Sequence, residues 1–141
     1  MMCITNKKKT PQFTYHLNNV PLEWVDTYTY LGVKIHKKLN WGDHIVDVTH
    51  KATTTLNLLR RSMYTCSRSA KRRTYIALVR PHLEYCSPVW SPYQQKYIDA
   101  LEKVQKRAAR WMLGVRWDKH NHQWSQHYLD SCLDLQLLTC T

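Results

Sequence analysis

Near Trp41-Gly42 the spacing of apolar residues changes from every second position to every third or fourth. Side chains alternate along a strand but recur every 3.6 residues along a helix, so this change divides the chain into a β part and a helical part. Before it, Phe13-Thr14-Tyr15-His16-Leu17 alternates as a half-buried strand does. Asn18-Asn19 follow, and Asn tolerates φ > 0, which predicts a tight hairpin returning through Val20-Pro21-Leu22. Pro21 cannot donate to a ladder, so the return is an edge strand. Residues 27–35 (Thr-Tyr-Thr-Tyr-Leu-Gly-Val-Lys-Ile) are rich in β-branched and aromatic types and are expected to form one strand. Gly32 within it marks a bulge, or a place where another backbone or a ligand comes close.

After the switch, Ile45, Val48, Ala52, Leu56, Leu59 and Met63 share roughly 80° of a helix surface at ~100° per residue. That is the buried stripe of a long amphipathic helix, with Asp43 as its expected N-cap. Its Thr53-Thr54-Thr55 run has weak helix propensity, so packing has to hold the middle. Ser67 or Ser69 caps a second helix carrying Tyr75, Ile76, Leu78 and Val79, which Pro81 should end or kink. Pro81, Pro88 and Pro92 punctuate a connection rich in Tyr and Trp. Ser91-Pro92-Tyr93-Gln94 then has the Ser, Pro and Gln placement of a helix start. The stripe of that third helix is Tyr97, Leu101, Val104, Ala108 and Trp111, and Gly114 stops it. A last short helix around Leu129, Cys132, Leu133 and Gln136 is only hinted at. The expected fold class is α+β, mainly α: a short N-terminal antiparallel β segment followed by a bundle of three to four helices.

Charge narrows the partners. The 141 residues hold 21 Lys plus Arg against 10 Asp plus Glu, a net +11, and such a surplus calls for an anionic partner, most commonly nucleic-acid phosphate. Lys96, Lys103, Arg107 and Arg110 gather on one side of the third helix. Arg60, Arg61, Arg68, Lys71, Arg72, Arg73 and Arg80 gather around the turn between the first two. These bases suit phosphate contacts, which position a nucleic acid without reading its sequence. A solvated face carrying i,i+4 pairs such as Glu102 with Lys106 is the competing reading. No apolar run nears the ~18 residues of a membrane helix, and Met1–Lys9 lacks the apolar core of a signal peptide. An intracellular location, the nucleus included, is expected. The odd number of widely spaced cysteines, five in all, suggests reduced thiols.

Catalytic and metal chemistry find little support. The seven Asp and three Glu include no adjacent pair, whereas a two-metal polymerase needs convergent carboxylates. Asp43 and Asp47 lie four apart but suit the helix dipole better than a metal. His120, His122, His127 and Cys132, and also His82 with Cys86, are ligand types without the tight paired spacing of a zinc site. No catalytic residue, metal or cofactor is assigned to this chain.

Several strings nevertheless resemble one family. Tyr30-Leu31-Gly32-Val33, Leu39-Asn40-Trp41, His44-Ile45 and Lys51-Ala52 resemble the segment that follows the catalytic palm in non-LTR retrotransposon (LINE-class, jockey-like) reverse transcriptases. So do Leu58-Leu59-Arg60-Arg61, Leu78-Val79-Arg80-Pro81-His82-Leu83-Glu84-Tyr85 and Pro88-Val89-Trp90-Ser91-Pro92. The run from Leu101-Glu102-Lys103 to Ala109-Arg110 belongs to the same set, and the similarity covers roughly residues 1–115. The resemblance implies that residues 1–36 form the end of a palm, with the strand at 27–35 as a primer-grip-like element through Tyr30, Leu31, Gly32 and Val33. Residues 41–114 would then be a thumb and connection gripping template–primer through its backbone, and 115–141 a divergent tail. It also implies that the catalytic Asp pair, and the Mg2+ it would hold, belong to the full-length polymerase. The function expected is therefore that of a reverse-transcriptase fragment that binds nucleic acid without polymerising. A stand-alone basic DNA- or RNA-binding module, or an element remnant without function, are the alternatives.

Overall fold

Short strands paired through tight turns open the chain. The computed structural model describes residues 1–5 and 13–114. Strand β1 (His16–Leu17) pairs antiparallel with β2 (Val20–Pro21), Leu17 opposite Val20. Asn18 and Asn19 between them have φ of 50° and 63°, both positive, as a two-residue hairpin turn of the favoured twist requires. The ladder is shorter than the alternation over 13–17 suggests. Beyond it the Leu22 N–H donates to the Tyr15 carbonyl at 2.8 Å.

Residues 27–35 correct the sequence reading. They form not one strand but two, β3 (Thr27–Tyr30) and β4 (Val33–His36), antiparallel with Tyr30 opposite Val33 and Thr27 opposite His36. Leu31 and Gly32 make the turn at φ of 46° and 80°. Gly32 is therefore not a bulge; it supplies the left-handed conformation that closes the hairpin. Asp26 and Lys37 clamp the open end of this hairpin with an ion pair at 2.7 Å. The Lys37 hydrogen bond holds the Asp26 carboxyl below its usual pKa.

Helix α1 (Gly42–Ser62) starts one residue before Asp43. The Asn40 side chain accepts the Gly42 N–H at 3.0 Å, so Asp43 is left in the first turn, where it opposes the dipole without capping. The expected stripe is buried from Ile45 through Leu59, with Met63 half-buried beyond the helix end. The chain divides into two compact units, Met1–Val46 and a second beginning at Asp47, so their border falls inside α1. In the first unit Val33, His44 and Ile45 are buried, and the Lys34 N–H donates to His44 Nδ1 at 3.2 Å.

In the second unit α2 (Arg68–Thr74) is capped by Ser67, whose hydroxyl accepts the Ala70 N–H at 3.3 Å. Pro81 does not end this helix. A π-helical turn (Tyr75–Val79) follows α2 and leads into α3 (Arg80–Glu84) without a break. Proline has no N–H and its ring crowds the carbonyl four residues back. The wider turn, in which the Arg80 N–H reaches the Tyr75 carbonyl, lets the chain stay helical past it. Tyr75, Val79 and Leu83 point inward, while Ile76 and Leu78 are exposed, contrary to the expected stripe.

A short helix α4 (Ser87–Trp90) occupies the connection that the prolines suggested would be irregular, and it buries Trp90. The indole Nε1–H donates to the Tyr85 carbonyl at 2.8 Å. Helix α5 (Gln95–Leu113) begins four residues later than Ser91. Ser91 and Gln94 have extended ψ of 120° and 128°, and Ser91 precedes a proline, which disfavours helix there. The buried seam of α5 is Leu101, Val104, Ala108, Ala109 and Met112, so Trp111 lies at its half-buried rim. Gly114 ends the helix at φ 68°, as expected. The fold is α+β and mainly α, with its larger core in the helical unit. The suggested helix near Leu129 and the tail at 115–141 lie outside the described residues.

Candidate nucleic-acid interface

Helix geometry decides which basic residues can act together. On α1, positions 57, 60 and 61 share one face at ~100° per residue, beside the buried Leu56 and Leu59. Asn57, Arg60 and Arg61 of α1 and Arg107 of α5 together line an open cavity of about 400 Å3. Arg61 and Arg107, members of two basic clusters and 46 residues apart in the chain, thus line one groove within the helical unit. No carboxylate lines this groove among the described residues. Guanidinium groups stay charged at every accessible pH and offer planar forks that fit phosphate oxygens.

Other candidates are engaged elsewhere. Lys71 Nζ sits 5.9 Å from the centroid of the Trp111 ring and 3.4 Å from the Tyr64 carbonyl. Arg68 reaches the Leu113 carbonyl at 3.5 Å, where a cation suits the negative end of α5. Arg80 pairs with Glu84 at 2.5 Å, and Lys106 with Glu102 at 2.6 Å. Arg110 Nε donates to the Lys106 carbonyl at 3.1 Å, and Lys96 Nζ stands 4.5 Å from the Tyr97 ring centroid. Arg72 and Arg73 are exposed on α2, and Lys103 on α5, outside the groove lining. Of the two basic gatherings read from the sequence, Arg60, Arg61 and Arg107 line one groove, while Arg68, Lys71, Arg80, Lys96 and Arg110 make local contacts.

Asn57 is the groove residue that sequence reasoning missed. The signal was its helical spacing from Arg60 and Arg61, masked because an uncharged amide does not register in a count of charge. The primer-grip-like residues Tyr30, Leu31, Gly32 and Val33 lie at the closed end of the second hairpin. Tyr30 and Leu31 are exposed and Val33 is buried.

Metal ligands do not gather: among the described residues no cluster of three His, Cys, Asp or Glu forms. Asp43 and Asp47 are both on α1, and His82 stands on α3 with Cys86 just beyond its end. Cys3, Cys66 and Cys86 are free thiols. His120, His122, His127 and Cys132 are outside the described residues. Among the described residues no helix is long and apolar enough to cross a membrane.

Comparison with known proteins decides the relationship. Over 123 residues the chain is 25% identical to a probable RNA-directed DNA polymerase from transposon X-element of Drosophila melanogaster, covering 85% of this chain and 13% of that protein. Over 112 residues it is 27% identical to the corresponding protein from transposon BS of the same fly, covering 77% of this chain and 12% of that protein. This chain is similar to part of a non-LTR retrotransposon reverse transcriptase. It spans about an eighth of the length of these relatives. No family model matches it, and no solved structure does. The retrotransposon resemblance read from the motifs thus holds in two relatives, whose names are those of RNA-directed DNA polymerases.

Proposed function

We propose that the chain serves as the duplex-holding part of a retrotransposon RNA-directed DNA polymerase, gripping template–primer by its phosphates and leaving polymerisation to the rest of that protein. The observation that carries this is the meeting of Arg60, Arg61 and Arg107 in one groove without an acid among its described lining. Phosphate contacts of this kind supply affinity without sequence preference. The helices from α1 onward then act as a thumb. The β3–β4 hairpin presents its Leu31-Gly32 tip toward the primer strand as a primer-grip-like element. The apolar residues that the hairpins leave in solvent, among them Phe13, Leu17 and Tyr28, are covered by the remaining polymerase. Mg2+ belongs to the catalytic centre of that larger protein.

Fluorescence anisotropy with labelled 20-base-pair duplexes of unrelated sequence tests the reading. The chain binds them with similar affinity, and Arg60→Glu combined with Arg107→Glu weakens all of them at least tenfold at low salt. Arg110→Gln, which removes a side chain hydrogen-bonded to its own helix, has a smaller effect. Unchanged binding by the double variant overturns the proposal.

A further inference from the structure

The groove has more positive charge and more donors than one internal backbone phosphate can use. A phosphodiester carries a single negative charge and presents two unesterified oxygens. A terminal phosphate carries about −1.5 to −2 at pH 7 and presents three. Arg60 and Arg61 approach from α1 and Arg107 from α5, with the Asn57 amide as a further donor on the α1 side. Donors arriving from two helices suit a group with three free oxygens, because each planar fork binds best along its own pair of acceptors. The cavity of about 400 Å3 is partly open to solvent, which leaves room for the strand attached to the phosphate. Nothing acidic among the described lining opposes the second negative charge.

We infer that this groove is a seat for the terminal phosphate of a nucleic-acid strand, with Arg60, Arg61 and Arg107 as its ligands. The inference rests on the backbone-binding reading and narrows it: the chain recognises a strand end as well as the duplex behind it. The end can be 5′ or 3′, since the phosphate chemistry is the same.

Binding of the full chain to otherwise identical duplexes bearing a 5′-phosphate, a 3′-phosphate or only hydroxyl ends separates the cases. A phosphate at one or both ends tightens binding roughly tenfold, as one additional charge-assisted contact would, and the arm that responds identifies the end. The preference narrows between pH 7.5 and pH 5.5, because the second phosphate proton has a pKa of about 6. Arg60→Gln with Arg107→Gln abolishes the preference. Arg107→Lys, which keeps the charge but loses the fork, reduces it while circular dichroism stays unchanged. Equal affinity for phosphate and hydroxyl ends, with both weakened in the double variant, overturns the end-recognition inference and leaves backbone binding standing. An end preference that survives in the double variant also overturns it. Hydroxyl-ended and phosphate-ended duplexes both untouched by the double variant overturn the two readings together.

Discussion

Leu31 is one of two leucines, with Leu39, held in left-handed backbone. It is a bulky residue at φ 46° with 72% of its surface exposed, and left-handed backbone costs such a residue about 1–2 kcal/mol. Asn-Gly is the favoured pair for a turn with both φ positive. Leu31→Asn should therefore stabilise the β3–β4 hairpin by about 1 kcal/mol. Amide exchange of Val33–His36 read by NMR should slow about fivefold, and unchanged exchange would show that Leu31 is not strained. Tyr75 is the second residue with a distinct signature. Its burial pushes the phenol up to about 12, so the folded state holds a proton that the unfolded chain gives up near pH 10. The resulting stability is fully present below pH 10 and is lost as pH rises through about 12, by up to roughly 3 kcal/mol. Urea unfolding at pH 8 and pH 11 should show this loss in the parent and a smaller one in Tyr75→Phe.

At the scale of elements, the long helices and the Gly114 stop were legible, and the starts of those helices were not. The stripe from Ile45 to Leu59 follows directly from spacing, because a 3.6-residue period leaves few other ways to bury those side chains. The split of residues 27–35 was hidden because the composition of a strand and of a hairpin is the same; only the φ demanded at Leu31-Gly32 distinguishes them. At Pro81, read as ending or kinking its helix, only the ending fails: packing of Tyr75, Val79 and Leu83 holds the helix together through a wider turn. The groove was half legible. Arg60, Arg61 and Arg107 could be named from charge, but their convergence depends on where α1 and α5 approach each other in space, which pairwise spacing cannot reveal. The contacts that occupy Arg68, Lys71 and Arg110 are largely with backbone carbonyls, and these leave no mark on a sequence. Helix α4 offers a test of the element packing. Trp90 is 1% exposed and hydrogen-bonded, so Trp90→Ala should cost about 3–5 kcal/mol. Trp90→Phe should cost less. Both shifts are measured as urea midpoints at constant slope.

For the whole molecule, a net charge of +11 makes ionic strength the governing variable. If the three groove arginines each displace a counterion, log K should fall with log salt at a slope of about −3 in the chain and nearer −1 in the Arg60→Glu, Arg107→Glu variant. Equal slopes for the two proteins would assign the salt response to charge elsewhere. The first unit responds to salt in the opposite sense. Its hairpins leave Phe13, Tyr15, Leu17, Val20, Tyr28 and Tyr30 in water, and mutual repulsion keeps molecules with such surfaces apart only while it reaches across the gap. That reach is about 10 Å at 0.1 M salt and about 3 Å at 1 M. Concentrated salt therefore releases the nucleic acid and lets the protein stick to itself, so light scattering has to accompany every titration, and dilute buffer is where this protein stays monodisperse.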